Sequence, residues 1–262
     1  MAQDDAIFVR EGGGVRATRF AAGPWNPDLQ HGGAPSALVV WAAEQVPAAA
    51  PMRVARVTVE LLRPVPVGAL DIATDVLREG RKIQLVQVRL LAAGKEVTRA
   101  VVLRLRVDAV ALPDDVAMPA VDSAPEDVAD DGLGTGLIPG VTFAANFDMK
   151  RIRGGFGQLG PGRVWFRQHR ALVEGEPLSP AARAMAVADF SNGIAPVLPF
   201  ADWTFLNADL SVHFARLPEG EWIFSDAETW AAPDGTGLAM TRLADRRGYF
   251  ARAVQSLLLE RR

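Results

Sequence analysis

Apolar and polar positions alternate over 54–63, 69–78, 82–92 and 96–106, the last run opening after a turn at Gly94. Period-two runs bounded by turn residues predict strands. Ahead of them the pattern changes. SALVVWAAEQ lies within a helix predicted over Pro35 to Gln45 and is apolar almost all round, as expected of a helix buried on most of its surface. A loop with Pro24 and Pro27 leads through Gly32-Gly33 to its start, and Pro47 and Pro51 end it. The later part of the chain repeats the order. Ser179-Pro180 open a second helix, since Ser caps free N–H groups and Pro lacks only an N–H that would have had no partner. It runs to about Phe190 and ends near Asn192-Gly193. Strands over 203–216, 221–231, 237–244 and 249–260 follow. Between the two sets, residues 108–144 are rich in Asp, Pro and Gly without periodicity and read as a linker. The chain divides into 1–107, a linker of 108–144, and 145–262.

The two parts overlay at a constant shift of 153 residues. Over 54–106 against 207–259, ten of 53 pairs are identical, among them Arg63 with Arg216, Arg89 with Arg242, and Arg99-Ala100-Val101 with Arg252-Ala253-Val254. Val57, Val59 and Leu61 alternate in phase with Leu210, Val212 and Phe214; a slip of one residue would reverse the faces. The pattern predicts a tandem duplication, each copy a buried helix with a curved antiparallel sheet. Two unrelated α+β halves of like composition are the competing reading.

Composition removes some functions. The 262 residues carry 28 Lys plus Arg against 31 Asp plus Glu, a net charge of −3, with 49% apolar and 23% charged residues. That is ordinary globular composition, and the near-neutral balance argues against nucleic acid as a partner. Only Lys82, Lys95 and Lys150 are lysines. There is no cysteine, hence no thiol nucleophile and no zinc–thiolate site. Three histidines without HxH or HExxH spacing make a metal centre unexpected. Met1 to Arg10 lacks the apolar core of a signal peptide, and Gly132 to Phe147, the longest uncharged stretch, is too short to span a membrane. A cytoplasmic protein is the expectation. No GxSxG or GxxxxGK[ST] is present.

Polar residues found in one copy alone are the candidates for chemistry. Asp209 stands opposite Arg56, Thr229 opposite Val76, and Gln255 opposite Val102. Gln255 shares a strand face with Ala253, Leu257 and Leu259, where an unpaired amide costs a few kcal/mol. A backbone partner or a ligand would satisfy it equally well. Thr229 lies among Ser225, Ala227 and Ala231, small residues that leave room, although Thr also simply suits a strand. Asp209 alternates with Ser211 and His213, and a solvated or Arg-paired carboxylate is the plain alternative. A carboxylate, a hydroxyl and an amide on adjacent strands could hold one water and take its proton. His31-Gly32-Gly33 precedes the first helix, where free N–H groups favour an oxyanion; His31 is there a substrate contact, a base or a cap.

HGGAPSALVVWAAEQ, the run from Arg53 to Ala100 and DGTGLAMTRLADRRGYFARAVQSLLLERR resemble the thioesterase-like superfamily, and within it acyl-CoA thioesterase II. The resemblance implies an α+β tandem double hotdog: two curved antiparallel sheets, each wrapped around a long central helix. It implies hydrolysis of an acyl-CoA thioester by an activated water, without cofactor or metal, through an Asp, a Ser or Thr, and a Gln of the second copy. Asp209 in ADLSVHF and Gln255 in AVQSLL match the first and last. Thr229 fits the hydroxyl position, with Trp230 one residue away. Gly32 and Gly33 match the oxyanion-binding backbone, while His31 departs from the residue usual there. Trp41 and Trp230 add bulk near the expected acyl path, and Arg81 is a candidate contact for CoA phosphates. A non-catalytic acyl-CoA or lipid binder is the rival function. A hydratase of the same architecture fits less well, because Asp209-Leu-Ser-Val-His213 lacks the D-x-N-P-x-x-H pattern. A tandem chain supplies internally the interface that single hotdogs form by dimerising, and a homodimer through other surfaces stays open.

Overall fold

The computed structural model describes residues 5–113, 115–130 and 143–262. Strands β1 (Ala6–Glu11) and β2 (Gly14–Ala17) come first, then helix α1 (Gly33–Glu44) and strands β3 (Met52–Leu61), β4 (Ala69–Arg78), β5 (Ile83–Ala92) and β6 (Lys95–Arg106). The second series is β7 (Phe147–Arg153), β8 (Gly162–Gln168), β9 (Ala171–Val173), α2 (Pro180–Ala188), α3 (Ser191–Ile194), β10 (Trp203–Asn207), β11 (Asp209–Phe214), β12 (Trp222–Ala231), β13 (Thr236–Asp245) and β14 (Gly248–Arg261). The period-two runs thus became β3–β6 and β10–β14 within two residues. β1, β2 and β7–β9 were not anticipated.

The strands form one sheet in the order β7-β8-β12-β13-β14-β11-β3-β6-β5-β4-β2-β1-β9, with β10 also on β14. Two separate sheets around long helices were expected. Here antiparallel pairing of β11 with β3 joins them, and the helices are short, at 12 and 9 residues. The seam lies where each copy's first post-helical strand offers an open edge to the other, and pairing removes both edges.

The 153-residue shift holds in the hydrogen-bond register. Val76 pairs with Val86 and Val86 with Val102; Thr229 pairs with Ala239 and Ala239 with Gln255. At the seam Ser211 pairs with Thr58, its own counterpart, with the two hydroxyl oxygens 3.5 Å apart. A pseudo-two-fold axis therefore passes through this pair. Both copies carry one extra residue at the same place: the register shifts between Val54 and Arg56, and Ala208 separates β10 from β11 at the equivalent point. Such a bulge turns the residues beyond it to the other face.

Helices α1 and α2 pack together on the inner face. The Oγ of Ser179 accepts from the Ala182 amide at 3.1 Å and Pro180 occupies the first turn of α2. α1 is buried almost all round, from Gly33 to Ala43 with Trp41 partly exposed. One apolar core runs through both copies and includes Leu38, Val57, Val88, Met185, Val212 and Phe250. N-terminal strand β1 crosses between copies, pairing in parallel with β9.

Of the linker, residue 114 and residues 131–142 lie outside the described residues, as do residues 1–4 and most of the uncharged stretch from Gly132. Residues 115–120 are exposed, and 121–130, with a single 3-10 turn at Pro125–Asp127, dock in part on the sheet. Trp165 and Phe224 face outward and need cover; Val121 and Val128 pack on their cluster. Trp165 Nε1 donates to Ser123 Oγ at 3.1 Å and the Tyr249 amide to the Pro119 carbonyl at 2.9 Å. Gly248 has φ +115°, and a Cβ there would come 2.4 Å from that same carbonyl. Among the described residues no helix is long and apolar enough to cross a membrane.

Candidate active site

The polar centre of the molecule is Asp189, a residue the sequence reading did not single out. It caps the C-terminal end of α2 and its side chain is 3% exposed. Oδ1 accepts from Asn207 Nδ2 at 2.8 Å and from Gln255 Nε2 at 3.0 Å. Oδ2 lies 2.9 Å from His31 Nδ1. A carboxylate offers about four lone-pair sites. Two amides fill those of Oδ1 and the imidazole faces Oδ2, which leaves one lone pair on Oδ2 for a small molecule.

Each partner arrives by a different route. Gln255 is on the inner face of β14, fully buried. Asn207 pairs with Leu257 on the same strand, so it is a same-face diagonal neighbour of Gln255. His31 comes from the first copy, in the loop ahead of α1. Its ring is stacked 4.9 Å from Phe143 and tilted 4.8 Å from Phe190, and it stays 15% exposed. Gly32 lets the two copies meet: a Cβ there would fall 2.8 Å from Asp189 Oδ2, and one on Gly33 would fall 2.9 Å from the Ala186 carbonyl. The carboxylate therefore sits against the N-terminal end of α1, where backbone N–H groups favour negative charge.

The predicted trio of Asp209, Thr229 and Gln255 does not converge. The bulge at Ala208 turns Asp209 to the outer face, where its Oδ1 accepts from the Ser256 amide at 2.6 Å. Asn207, before the bulge, keeps the inner face and is the residue of this strand that reaches Asp189. Thr229 does share the inner row with Ala239 and Gln255, but no hydrogen bond joins it to Asp189. Its buried hydroxyl has no partner, nor has Gln255 Oε1. Buried groups of this kind are rare and call for an explanation. Here both border an apolar cluster of Phe205, Ala239, Leu257 and Leu259, packed by Trp25, Leu198 and Phe200. Trp230 is on the opposite face and 58% exposed, clear of that space. Arg81 is exposed in the turn between β4 and β5.

Gly33 also differs from expectation. Its amide is not free, because it donates to His31 Nδ1 at 3.1 Å. The Gly32 amide has no hydrogen-bond partner among the described residues. The arrangement is a buried carboxylate held by two amides and an imidazole, beside a free backbone donor and an unpartnered amide oxygen. It can take a proton from a bound water and stabilise an oxyanion close by.

Two family models match the chain: an acyl-CoA thioesterase N-terminal domain over residues 21–105 and an acyl-CoA thioesterase C-terminal domain over residues 113–259. No curated protein sequence matches. Among solved structures the chain is similar to a hot dog fold protein of unknown function from Alicyclobacillus acidocaldarius, at 19% identity over 98% of this chain and 97% of that one, with a TM-score of 0.75. It is similar to a tesB protein from Mycobacterium avium subspecies paratuberculosis, at 19% identity, 97% and 95% coverage and a TM-score of 0.68. It is also similar to an acyl-CoA thioesterase II from Mycobacterium marinum, at 17% identity, 93% and 97% coverage and a TM-score of 0.63. At these identities the likeness is one of fold.

Proposed function

The chain belongs to the acyl-CoA thioesterase family, and on that premise we propose that it hydrolyses acyl-CoA thioesters to the free acid and CoA through a water activated by Asp189. The observation that carries the proposal is the buried Asp189 carboxylate, held on one oxygen by Asn207 and Gln255 and faced on the other by His31 beside the N-terminal end of α1. The thioester lies beside the N-terminal end of α1. A water on the free lone pair of Oδ2 attacks its carbonyl carbon and gives its proton to the carboxylate. The Gly32 amide is the donor for the developing oxyanion, a contact made strong by exclusion of water. Collapse of the tetrahedral intermediate breaks the carbon–sulfur bond, and CoA leaves as a thiolate, which needs little help from an acid. The apolar cluster around Leu257 and Phe205 is the wall for the substrate, with Thr229 and Gln255 Oε1 as polar points along it.

Thiol release from a panel of acyl-CoAs of increasing chain length tests this. Wild type should turn over at least one, and Asp189→Asn should lose about 10³-fold in kcat, within the range for a positioned base, while keeping its fold by circular dichroism. Acyl-CoA binding without any thiol release by wild type would support the non-catalytic binder. Full activity in Asp189→Asn would remove Asp189 as the base.

A further inference from the structure

Hydrolysis at this site creates a difficulty of proton traffic. The proton taken from water lands on a carboxyl that is 3% exposed, and the base works again only once the proton has gone. Both neighbours of Oδ1 are amide donors and accept nothing through the N–H groups they present. The group facing Oδ2 is the His31 imidazole at 2.9 Å. Among the described residues Asp189 is the charged group recorded against that ring; its other contacts are the Phe143 and Phe190 rings and the Gly33 amide.

The hydrogen bond from Gly33 adds a second constraint. An N–H that donates to Nδ1 requires a lone pair there, so the ring carries its proton on Nε2. Nδ1 has a single lone pair, which the Gly33 N–H occupies at 3.1 Å with Oδ2 at 2.9 Å beside it, so a proton passing from Asp189 to Nδ1 displaces the Gly33 N–H.

We infer that His31, whose side chain is 15% exposed, is the proton exit of this site: the proton passes from water to Asp189 Oδ2, from Oδ2 to His31 Nδ1 as the Gly33 N–H gives way, and the imidazolium releases a proton from Nε2 to solvent. The balance is simple. One O–H bond of water breaks, the hydroxide oxygen bonds the carbonyl carbon, and the proton ends in solvent with Asp189 again a carboxylate. His31 acts through Asp189 and is a positioning and relay residue. The inference rests on Asp189 being the base.

The test compares wild type, Asp189→Asn, His31→Asn and His31→Ala on the acyl-CoA that wild type turns over fastest. His31→Asn keeps a polar side chain beside Asp189 but has no titratable nitrogen with which to relay the proton. It should lower kcat by about 10- to 100-fold with KM little changed, and its turnover should rise with buffer concentration, as wild type's does not. Imidazole added to His31→Ala should restore turnover in proportion to its concentration. Independently of activity, the ¹⁵N resonance of His31 Nδ1 should show a shared proton in wild type and lose that signature in Asp189→Asn. An inactive Asp189→Asn beside a His31→Asn with wild-type kcat and no buffer dependence would overturn the relay and leave the base standing. Full turnover by Asp189→Asn would overturn both. A His31→Ala variant that folds, is slow and ignores imidazole would reduce His31 to a packing role.

Discussion

Glu44 ends α1 as Asp189 caps α2, and each carboxylate lies against the N-terminal end of the other helix. Glu44 reaches Ser179 at the start of α2, and Asp189 lies against Gly32 at the start of α1. The surroundings differ. Burial pushes the Glu44 carboxyl above its ordinary range, against the opposing pull of Ser179 and Arg104. Arg104 itself is tied into structure, donating to the Val46 carbonyl and to Gln84 Oε1, both at 2.7 Å. At the other end the strands present neutral amides. Asn207 stands where the first copy has Val54, and Gln255 where it has Val102, both of these valines buried. At one end burial raises a carboxyl beside an arginine already tied into structure; at the other, two amides hold the carboxyl group in place. The difference lies in the sheet residues under the helix ends more than in the helices.

Exchanging features between the ends should sharpen this contrast. The largest effect is expected at Asp189, where Asn costs about 10³-fold in thiol release, while Glu44→Gln leaves kcat within twofold of wild type. Equal losses in both would mean that both ends are catalytic.

Next comes an ion pair found in the second copy alone. Arg216 binds the fully buried Asp245, with one contact at 2.6 Å, and the Glu219 and Arg247 amides donate to the same carboxylate at 2.8 Å each. Its counterpart Arg63 donates instead to the Glu96 carbonyl. Burial alone would raise the Asp245 pKa, but Arg216 and the two amides outweigh it and hold it below the ordinary carboxylate range. A depressed carboxyl contributes stability above its unfolded pKa and loses it as pH falls through the folded one. Asp245→Asn should therefore cost about 3 kcal/mol at pH 7 in urea unfolding, with the gap to wild type closing below about pH 4. A gap independent of pH would assign the loss to packing.

Smaller again is Gln255→Val, which installs the first copy's residue. One of the two donors to Oδ1 goes, and with it an unpartnered buried oxygen. Turnover should fall about 10- to 100-fold while stability changes by less than about 1 kcal/mol. The smallest effect is Glu44→Gln on stability. Because burial raises this carboxyl, its charge costs free energy above the raised pKa and nothing below the unfolded one. The variant should gain up to about 1 kcal/mol at pH 7, and the gain should vanish in acid. A loss at pH 7 would show that the contact with Ser179 outweighs burial.

Much of the architecture was legible because β3–β6 and β10–β14 alternate cleanly and repeat at one spacing. β1 is apolar over four successive residues, β2 and β9 are only 4 and 3 residues long, and β7 and β8 fall outside the stretch that repeats at that spacing. Gln255 was found because an amide interrupts an apolar face. Alternation with Ser211 and His213 already set Asp209 opposite the apolar row of Leu210, Val212 and Phe214; it was the resemblance that matched it to the carboxylate position, and the bulge at Ala208 is what gives the inner face to Asn207 instead. That bulge had a trace, since Ala55 and Ala208 are identical at the shift. Asn207 had one too, as the first position of the overlay and opposite a valine. Asp189 lay beyond the overlay. Its trace was a lone acid at the C-terminal end of an apolar helix, the end where the dipole disfavours it and where another element must supply the compensation. No local pattern reveals that the compensation comes from His31 and Gly32, more than 150 residues earlier.

The axis through Thr58 and Ser211 falls within one chain, and this bears on how the two ends could diverge. In a pair of identical chains any substitution appears on both sides of the axis, so every change that closes one site closes its twin. In a fused chain each mutation is written once. Arg104 can fill one end while Asn207 and Gln255 keep the other open, and neither choice constrains the other. The molecule is symmetric in its hydrogen bonds and asymmetric in its inheritance.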